Sequence, residues 1–265
     1  MSAHVAAFRA IFERDFRLYM SFRTALGTQA MSMLFTLALF YFVSRLVAAD
    51  RLGSPDDYFA FVAVGLVILS VLHSGLGLSE ALHSELMTGT FERILLSPFG
   101  PILATMSMAL FPMIRALMMA VWTLAMAALI FGLDVRWSTA PLALPLGLLC
   151  AVAFAAIALA TAAAVIAFKR APGIGFILAG IALVSGVYFP PRVMPEWIRW
   201  TADVQPFTPA VNLLRNVLVG LPMPDPAWVY LLKLVGFTVV FLPLAAWAVG
   251  RAVEFAHRRG TLLEY

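Results

Sequence analysis

Long apolar runs alternate with short polar segments along this chain, and the pattern predicts an all-helical protein that crosses a membrane six times. A run of about 20 apolar residues, at about 1.5 Å per residue, is long enough to cross a hydrocarbon core of about 30 Å. The predicted spans are 24–44, 58–79, 102–131, 141–168, 171–189 and 229–249. Pro145 is expected to interrupt the fourth span near its start.

Two segments beside these spans predict helices at the membrane surface. Residues 1–23 precede the first span, and apolar and charged positions alternate there with helical spacing. One arc carries Phe8, Ile11, Phe12, Phe16 and Tyr19, and the other carries Arg9, Glu13, Arg14 and Arg17. We expect an interfacial helix here, the alternative being the first helix of a soluble bundle. Residues 190–228 are rich in proline and tryptophan, which favours short helices dipping into the outer interface.

Composition places the whole chain, residues 1–265, in one membrane domain. Hydrophobic residues make up 63% and charged residues 12% of the sequence, against about a quarter charged in soluble domains. The net charge of +4 is scattered rather than clustered, so it does not indicate nucleic-acid binding. Cys150 is the only cysteine, and neither a disulfide within the chain nor a thiolate metal site is expected.

The positions of lysine and arginine predict that both termini lie in the cytoplasm. On this topology the inner segments hold Arg9, Arg14, Arg17, Arg23, Arg93, Lys169, Arg170, Arg251, Arg258 and Arg259. The two short outer turns hold only Arg45, Arg51 and Arg136.

No ATP-hydrolysing site is expected in this chain. A P-loop needs a lysine after a glycine-rich turn, and the only two lysines, Lys169 and Lys233, do not follow a glycine. Any ATP and magnesium must therefore be bound by a partner, and we expect no cofactor on this chain.

The polar segment between the second and third spans, residues 80–101, carries the most informative motif. Residues 85–98 read ELMTGTFERILLSP. This stretch resembles the cytoplasmic coupling segment of type-2 ATP-binding-cassette export permeases, which typically reads ExxxGTLExLxxSP. Further along the chain, SGVYFP at 185–190, MPEWI at 194–198 and QPFTPAV at 205–211 are similar to three runs that the family has in the same order. Gln205 and Pro209 depart from the family's usual asparagine and tyrosine.

The resemblance implies a permease that is driven by a cytoplasmic ATPase subunit and paired with a second permease, identical or related, in the bacterial cytoplasmic membrane. It implies an exporter of an amphiphilic substrate such as a lipid, glycolipid, glycan or hydrophobic drug. The residues implied in coupling are Glu85, Gly89, Thr90, Phe91, Glu92, Arg93, Leu96, Ser97 and Pro98. Those implied in an outer re-entrant segment are Ser185, Gly186, Pro190, Pro195, Trp197, Pro206 and Thr208.

Two polar side chains within spans are candidate pathway residues. Arg115 lies near the middle of the third span, where a charge is costly unless it faces protein, water or a ligand. A structural arginine held by carbonyls freed near Pro112 is an equal alternative. For His73, in the second span, a packing role is the simpler alternative. A secondary transporter and a membrane-embedded enzyme remain alternative functions.

Overall fold

The computed structural model describes residues 3–21, 23–46, 54–88, 100–168 and 174–258, and every regular element in these ranges is helical. The α-helices are α1 Ala3–Ser21, α2 Arg23–Leu46, α3 Pro55–Met87, α4 Gly100–Phe131, α5 Ala143–Phe168, α6 Ile174–Val184, α7 Glu196–Val204, α8 Phe207–Val219 and α9 Ala227–Arg258. Two short 3₁₀ turns span Ala140–Leu142 and Pro191–Val193. The all-helical fold class predicted from the sequence is confirmed for these residues.

Five of the described helices are long and apolar enough to cross a membrane, namely α2, α3, α4, α9 and α5 together with the 3₁₀ turn before it. Their outward faces carry large apolar side chains. Phe35 and Leu39 of α2 are 67% and 59% exposed, and Val239 of α9 is 66% exposed. Apolar surface of this extent is unfavourable in water and suits contact with lipid.

Helix α6 occupies the place of the fifth predicted span. The sequence predicts a span over 171–189, but residues 171–173 lie outside the described residues and α6 ends at Val184. The chain turns after Val184 because Gly186 takes a left-handed conformation, with φ of 81°. Six spans therefore stay a prediction, with five helices of sufficient length in the described part of the chain.

Two other boundaries differ from the sequence prediction. Helix α3 continues eight residues beyond Ser79 because Leu82 and Leu86 are buried, so residues 80–87 are part of the bundle rather than a free surface segment. The expected interruption at Pro145 is wrong. The helix begins at Ala143, so Pro145 lies in its first turn, where the missing N–H costs no intrahelical hydrogen bond.

Helix α3 is the centre of the bundle and packs against α4, α5 and α8. Its most apolar window is 73% buried, against 11% for α2 and 17% for α9, which mainly face outward. A capping box starts the helix, in which the Ser54 side chain accepts from the Asp57 amide and the Asp57 carboxylate accepts from the Ser54 amide. The polar turn before α3 therefore fixes where this buried helix begins.

The buried side chains form two clusters along the bundle. One joins the first half of α3 to α5, α8 and the end of α4. The other joins the last turns of α3, around Leu82, to the end of α5 and the last turns of α9. We name the two ends of the molecule after these clusters: the α8 end, and the terminal end, where α1 and the end of α9 lie.

The close approach of α3 to the chain after α6 depends on a glycine. A Cβ atom at Gly65 would lie 2.6 Å from the carbonyl oxygen of Val187. We predict that Gly65→Ala forces the backbones apart and lowers the free energy of unfolding by about 1–3 kcal/mol.

The measurement is thermal unfolding of the purified protein in detergent, with Gly236→Ala on α9 as the control. Nothing lies within 4 Å of a Cβ at Gly236, so this change should be neutral or stabilise by about 0.5–1 kcal/mol. Equal stability of the two variants would contradict the packing argument.

Candidate functional site

Most of the predicted coupling residues lie outside the described part of the chain. They are Gly89, Thr90, Phe91, Glu92, Arg93, Leu96, Ser97 and Pro98. Glu85 is described, in the last turn of α3. Their role in coupling stays a prediction.

Glu85 ties the N-terminal helix to the end of α3. Nη1 of Arg14 lies 2.9 Å from Oε1 of Glu85, and Nη2 of Arg14 lies 2.9 Å from the Asp15 carboxylate. The Arg14 guanidinium therefore bridges two carboxylates. Burial raises the pKa of Asp15 above its usual value, and the attraction of Arg14 only partly offsets this. The N-terminal helix is thus attached, by charge, directly beside the predicted coupling segment.

Aromatic packing attaches the same helix to α4. The rings of Phe12, Phe16 and Tyr19 all contact Phe111, with the Tyr19 and Phe111 centroids 5.3 Å apart. The apolar arc predicted for this helix therefore faces α4 in part, rather than lipid alone.

Arg115 lies on α4 between Tyr19 of α1 and Gly77 of α3. Its guanidinium carbon is 5.5 Å from the centre of the Tyr19 ring, and a Cβ added to Gly77 would be 3.2 Å from its Nη2. The Nε of Arg115 is buried and has no hydrogen-bond partner among the described residues, and the same holds for the Tyr19 hydroxyl. Carbonyls freed near Pro112 therefore do not satisfy this Nε.

Two neighbouring donors inside the bundle thus have no acceptor among the residues that the structure describes. A buried donor without an acceptor costs about 1–3 kcal/mol, more when it is charged. A group with several acceptor oxygens is the kind of partner that would satisfy an arginine and a tyrosine hydroxyl together.

His73, the second candidate pathway residue, has an exposed side chain on α3, although Ser70, Val71 and Leu72 before it are buried. No hydrogen bond joins His73 to Arg115 within the described ranges, so the structure does not bring the two candidates into one bonded site.

Three of the predicted outer residues lie together at the α8 end. The hydroxyl of Thr208 donates to the carbonyl of Ser185 at 3.1 Å, and both residues are buried. A Cβ at Gly186 would meet Pro191 at 3.0 Å, so glycine allows the tight turn. The other predicted residues delimit elements. Pro190, Pro195 and Pro206 precede the second 3₁₀ turn, α7 and α8, and Trp197 points outward from α7, 75% exposed.

Arg215 of α8 holds this end together. The residue is only 3% exposed. Its Nε donates to the carbonyl of Phe61 at 2.9 Å, and its Nη2 donates to the carbonyl of Val187 at 3.0 Å. Its guanidinium also lies over the Phe61 ring, 3.2 Å from the centroid. One side chain thus joins α8, α3 and the irregular chain after α6.

Sequence reasoning did not single out Arg215 or Tyr19 as site residues. A signal for Arg215 exists, since it is the one charged residue in the amphipathic helix that begins at Phe207. Tyr19 carries no comparable signal. Its importance arises only where α1 meets α4.

No group of three or more metal-ligating side chains is found in the part of the chain that the structure describes. A sequence model of the ABC-2 type transporter family matches residues 6–219.

The match covers most of the chain, which therefore belongs to the ABC-2 type transporter family. The chain is thus a permease subunit of an ABC transporter, a class of membrane subunit that is generally not itself catalytic. A comparison with curated proteins gave no match.

The anchoring role of Arg215 predicts a large effect of its loss. Arg215→Met leaves the Val187 carbonyl without a donor, at about 1–3 kcal/mol, and removes a second hydrogen bond from the Phe61 carbonyl, which keeps its bond within α3. We expect a lower unfolding temperature in detergent and faster proteolysis of the segment after α6. Arg192→Met, at an exposed position of the same end, is the control, and a loss of stability equal to that of Arg215→Met would argue against the anchor.

Proposed function

We propose that this chain is the membrane-spanning subunit of an ATP-driven exporter in the bacterial cytoplasmic membrane. ATP and magnesium bind to a separate cytoplasmic ATPase, and two permease chains, identical or related, enclose the pathway. The substrate is an amphiphile of the lipid, glycolipid, glycan or hydrophobic drug type. The observation that carries the proposal is the coupling motif at 85–98, inside a family match that covers residues 6–219.

The contacts of Glu85 support force transmission at the terminal end. Glu85 lies four residues before Gly89 in the sequence, and it is paired with Arg14 of α1, a helix that packs on α4. A displacement of residues 89–98 by a bound ATPase would therefore move α1, α3 and α4 together. This arrangement suits a subunit that receives its power stroke through protein contact.

The fold also supports six crossings with both termini in the cytoplasm. Helix α5 ends at Phe168, beside the buried cluster of the terminal end, whereas Val187 is bonded at the α8 end. The intervening chain has to pass from one end to the other, and α6 lies within it. With this passage counted as a crossing, α1 and the last turn of α9 share the cytoplasmic side with the coupling segment.

The unsatisfied donors of Tyr19 and Arg115 support an anionic group on the amphiphile. Both atoms are buried donors, and neither has an acceptor among the described residues. A phosphate or carboxylate that enters from the inner leaflet would satisfy both. We therefore assign Arg115 to the substrate pathway, with Tyr19 beside it.

The alternative functions lack comparable support. A secondary transporter needs titratable or ion-binding groups near the middle of the membrane. The described spanning helices carry aspartate and glutamate only near their ends, as Asp56 and Glu254 illustrate. An enzyme would need a paired acid, a metal group or an activated nucleophile.

The ATPase contact is tested by charge reversal in the coupling segment. We expect that Glu92→Arg abolishes co-purification of a P-loop ATPase with the affinity-tagged permease in mild detergent. Glu196→Arg, an exposed reversal at the α8 end, should leave the complex intact. Recovery of the ATPase with the Glu92→Arg variant, or flipping of lipid by the permease alone, would contradict the proposal.

The role of Arg115 is tested with NBD-labelled phosphatidylglycerol in proteoliposomes that contain the permease and its ATPase. We expect Arg115→Gln to slow ATP-dependent flipping about tenfold, because a charge-assisted hydrogen bond contributes about 1.5–3 kcal/mol. Arg115→Lys should retain part of the activity.

Size-exclusion chromatography of the complex is the control for assembly. If the Arg115→Gln complex assembles and flips the lipid at the wild-type rate, Arg115 is not a pathway residue. Loss of the protein itself would assign it a structural role.

A further inference from the structure

A cavity of about 370 Å³ opens at the α8 end, within the range of small-ligand pockets. Its walls come from the start of α3, the second 3₁₀ turn, α7, α8 and the start of α9. The deep lining includes Arg215, Thr208 and Tyr230, which are 3%, 9% and 4% exposed. The cavity is therefore a concave site with a buried polar floor, and neither Arg115 nor Glu85 lines it.

The floor offers a donor that the fold does not use. Arg215 donates from Nε to the carbonyl of Phe61 and from Nη2 to the carbonyl of Val187. Its Nη1 donates to no residue in the described ranges, and it is not among the buried atoms that lack a partner, so it remains accessible. A charged donor at the floor of a cavity favours an anionic oxygen.

The rim carries charges of both signs that the fold keeps apart. Arg192 and Arg199 line the cavity together with Asp57, Asp203 and Asp225. No ion pair joins a lining arginine to a lining aspartate in the described part of the chain. The carboxylates take other partners.

Asp203 pairs with Lys233 at 3.4 Å, and Asp225 accepts from the Tyr230 hydroxyl at 3.4 Å. Both distances are long for such bonds, so these carboxylates retain acceptor capacity. A ligand that carries both a cation and an anion would match this rim.

Helix α7 places the cavity at the depth of lipid head groups. Arg199, Ala202 and Asp203 face the cavity on one side of the helix. Trp197, Trp200 and Val204 lie on the other side and are 75%, 62% and 63% exposed. Exposed tryptophans are typical of the membrane–water interface. A pocket behind such a helix opens where head groups lie.

We propose that this cavity binds a zwitterionic phosphate–amine group, with the phosphate on Arg215 Nη1 and the ammonium at the aspartates of the rim. Phosphatidylethanolamine is a membrane lipid of this chemistry, and its head group suits the interfacial position. The site is independent of the ATPase and of the direction of transport, and it survives if the proposed export function fails.

The experiment is native mass spectrometry of the delipidated permease in detergent, titrated with phosphatidylethanolamine, phosphatidylglycerol and free O-phosphoethanolamine. The wild type should bind phosphatidylethanolamine more tightly than phosphatidylglycerol, which lacks the ammonium. Arg215 is left unchanged because it anchors the fold.

Two rim variants test the ammonium and the phosphate of the head group separately. Asp225→Asn should weaken phosphatidylethanolamine binding about tenfold and leave phosphatidylglycerol unaffected, whereas Arg192→Gln should weaken both lipids. Asp134→Asn, an exposed change on the α4–α5 turn outside the cavity, is the matched control. Thermal unfolding confirms that each variant is folded.

Competition by free O-phosphoethanolamine would support the phosphate–amine chemistry and show that the head group alone is sufficient. Binding of the lipid without such competition would support the same chemistry and require the acyl chains. Equal binding of the two lipids by the wild type, or an Asp225→Asn variant that binds phosphatidylethanolamine normally, would overturn the proposal.

Discussion

The α8 end of this permease depends on one guanidinium group, that of Arg215. Irregular backbone in a membrane protein is tolerated only where its polar groups are satisfied by protein or water. The chain after α6 is irregular, and Nη2 of Arg215 donates to the carbonyl of Val187 in this segment. Nε of the same arginine donates to the carbonyl of Phe61 on α3. Gly65 makes the contact possible because it brings α3 against the Val187 carbonyl. The Arg215 guanidinium and the absence of a side chain at Gly65 thus together fix the position of α8 against the bundle.

The terminal end is held together by different interactions. There the N-terminal helix is held by the salt bridge from Arg14 to Glu85 and by aromatic contacts to Phe111. Exposed salt bridges contribute little by themselves, so the rings supply most of the attachment.

Arg215 and Arg115, both inside the bundle, differ in how many of their guanidinium nitrogens have a hydrogen-bond acceptor. Two of the three guanidinium nitrogens of Arg215 donate to carbonyls, whereas the buried Nε of Arg115 has no acceptor in the described residues. Arg215 therefore holds the fold with two nitrogens and has only Nη1 left for a ligand, whereas the Nε of Arg115 serves no contact of the fold among these residues. Sequence position alone selects Arg115, which lies in the middle of a long span, and does not select Arg215, which lies in a short helix.

The sequence by itself determined the helical class, the approximate positions of five long membrane helices and, through the motif at 85–98 and the three later runs, the transporter family. Hydrophobic run length and local motifs encode these features, because lipid forces the backbone to satisfy its own hydrogen bonds within each span. The end of α3 at Met87, the meeting of Tyr19 with Arg115, and the cavity behind α7 were decided only by tertiary structure. Each depends on which faces of distant helices touch, and a single sequence carries no record of those pairings.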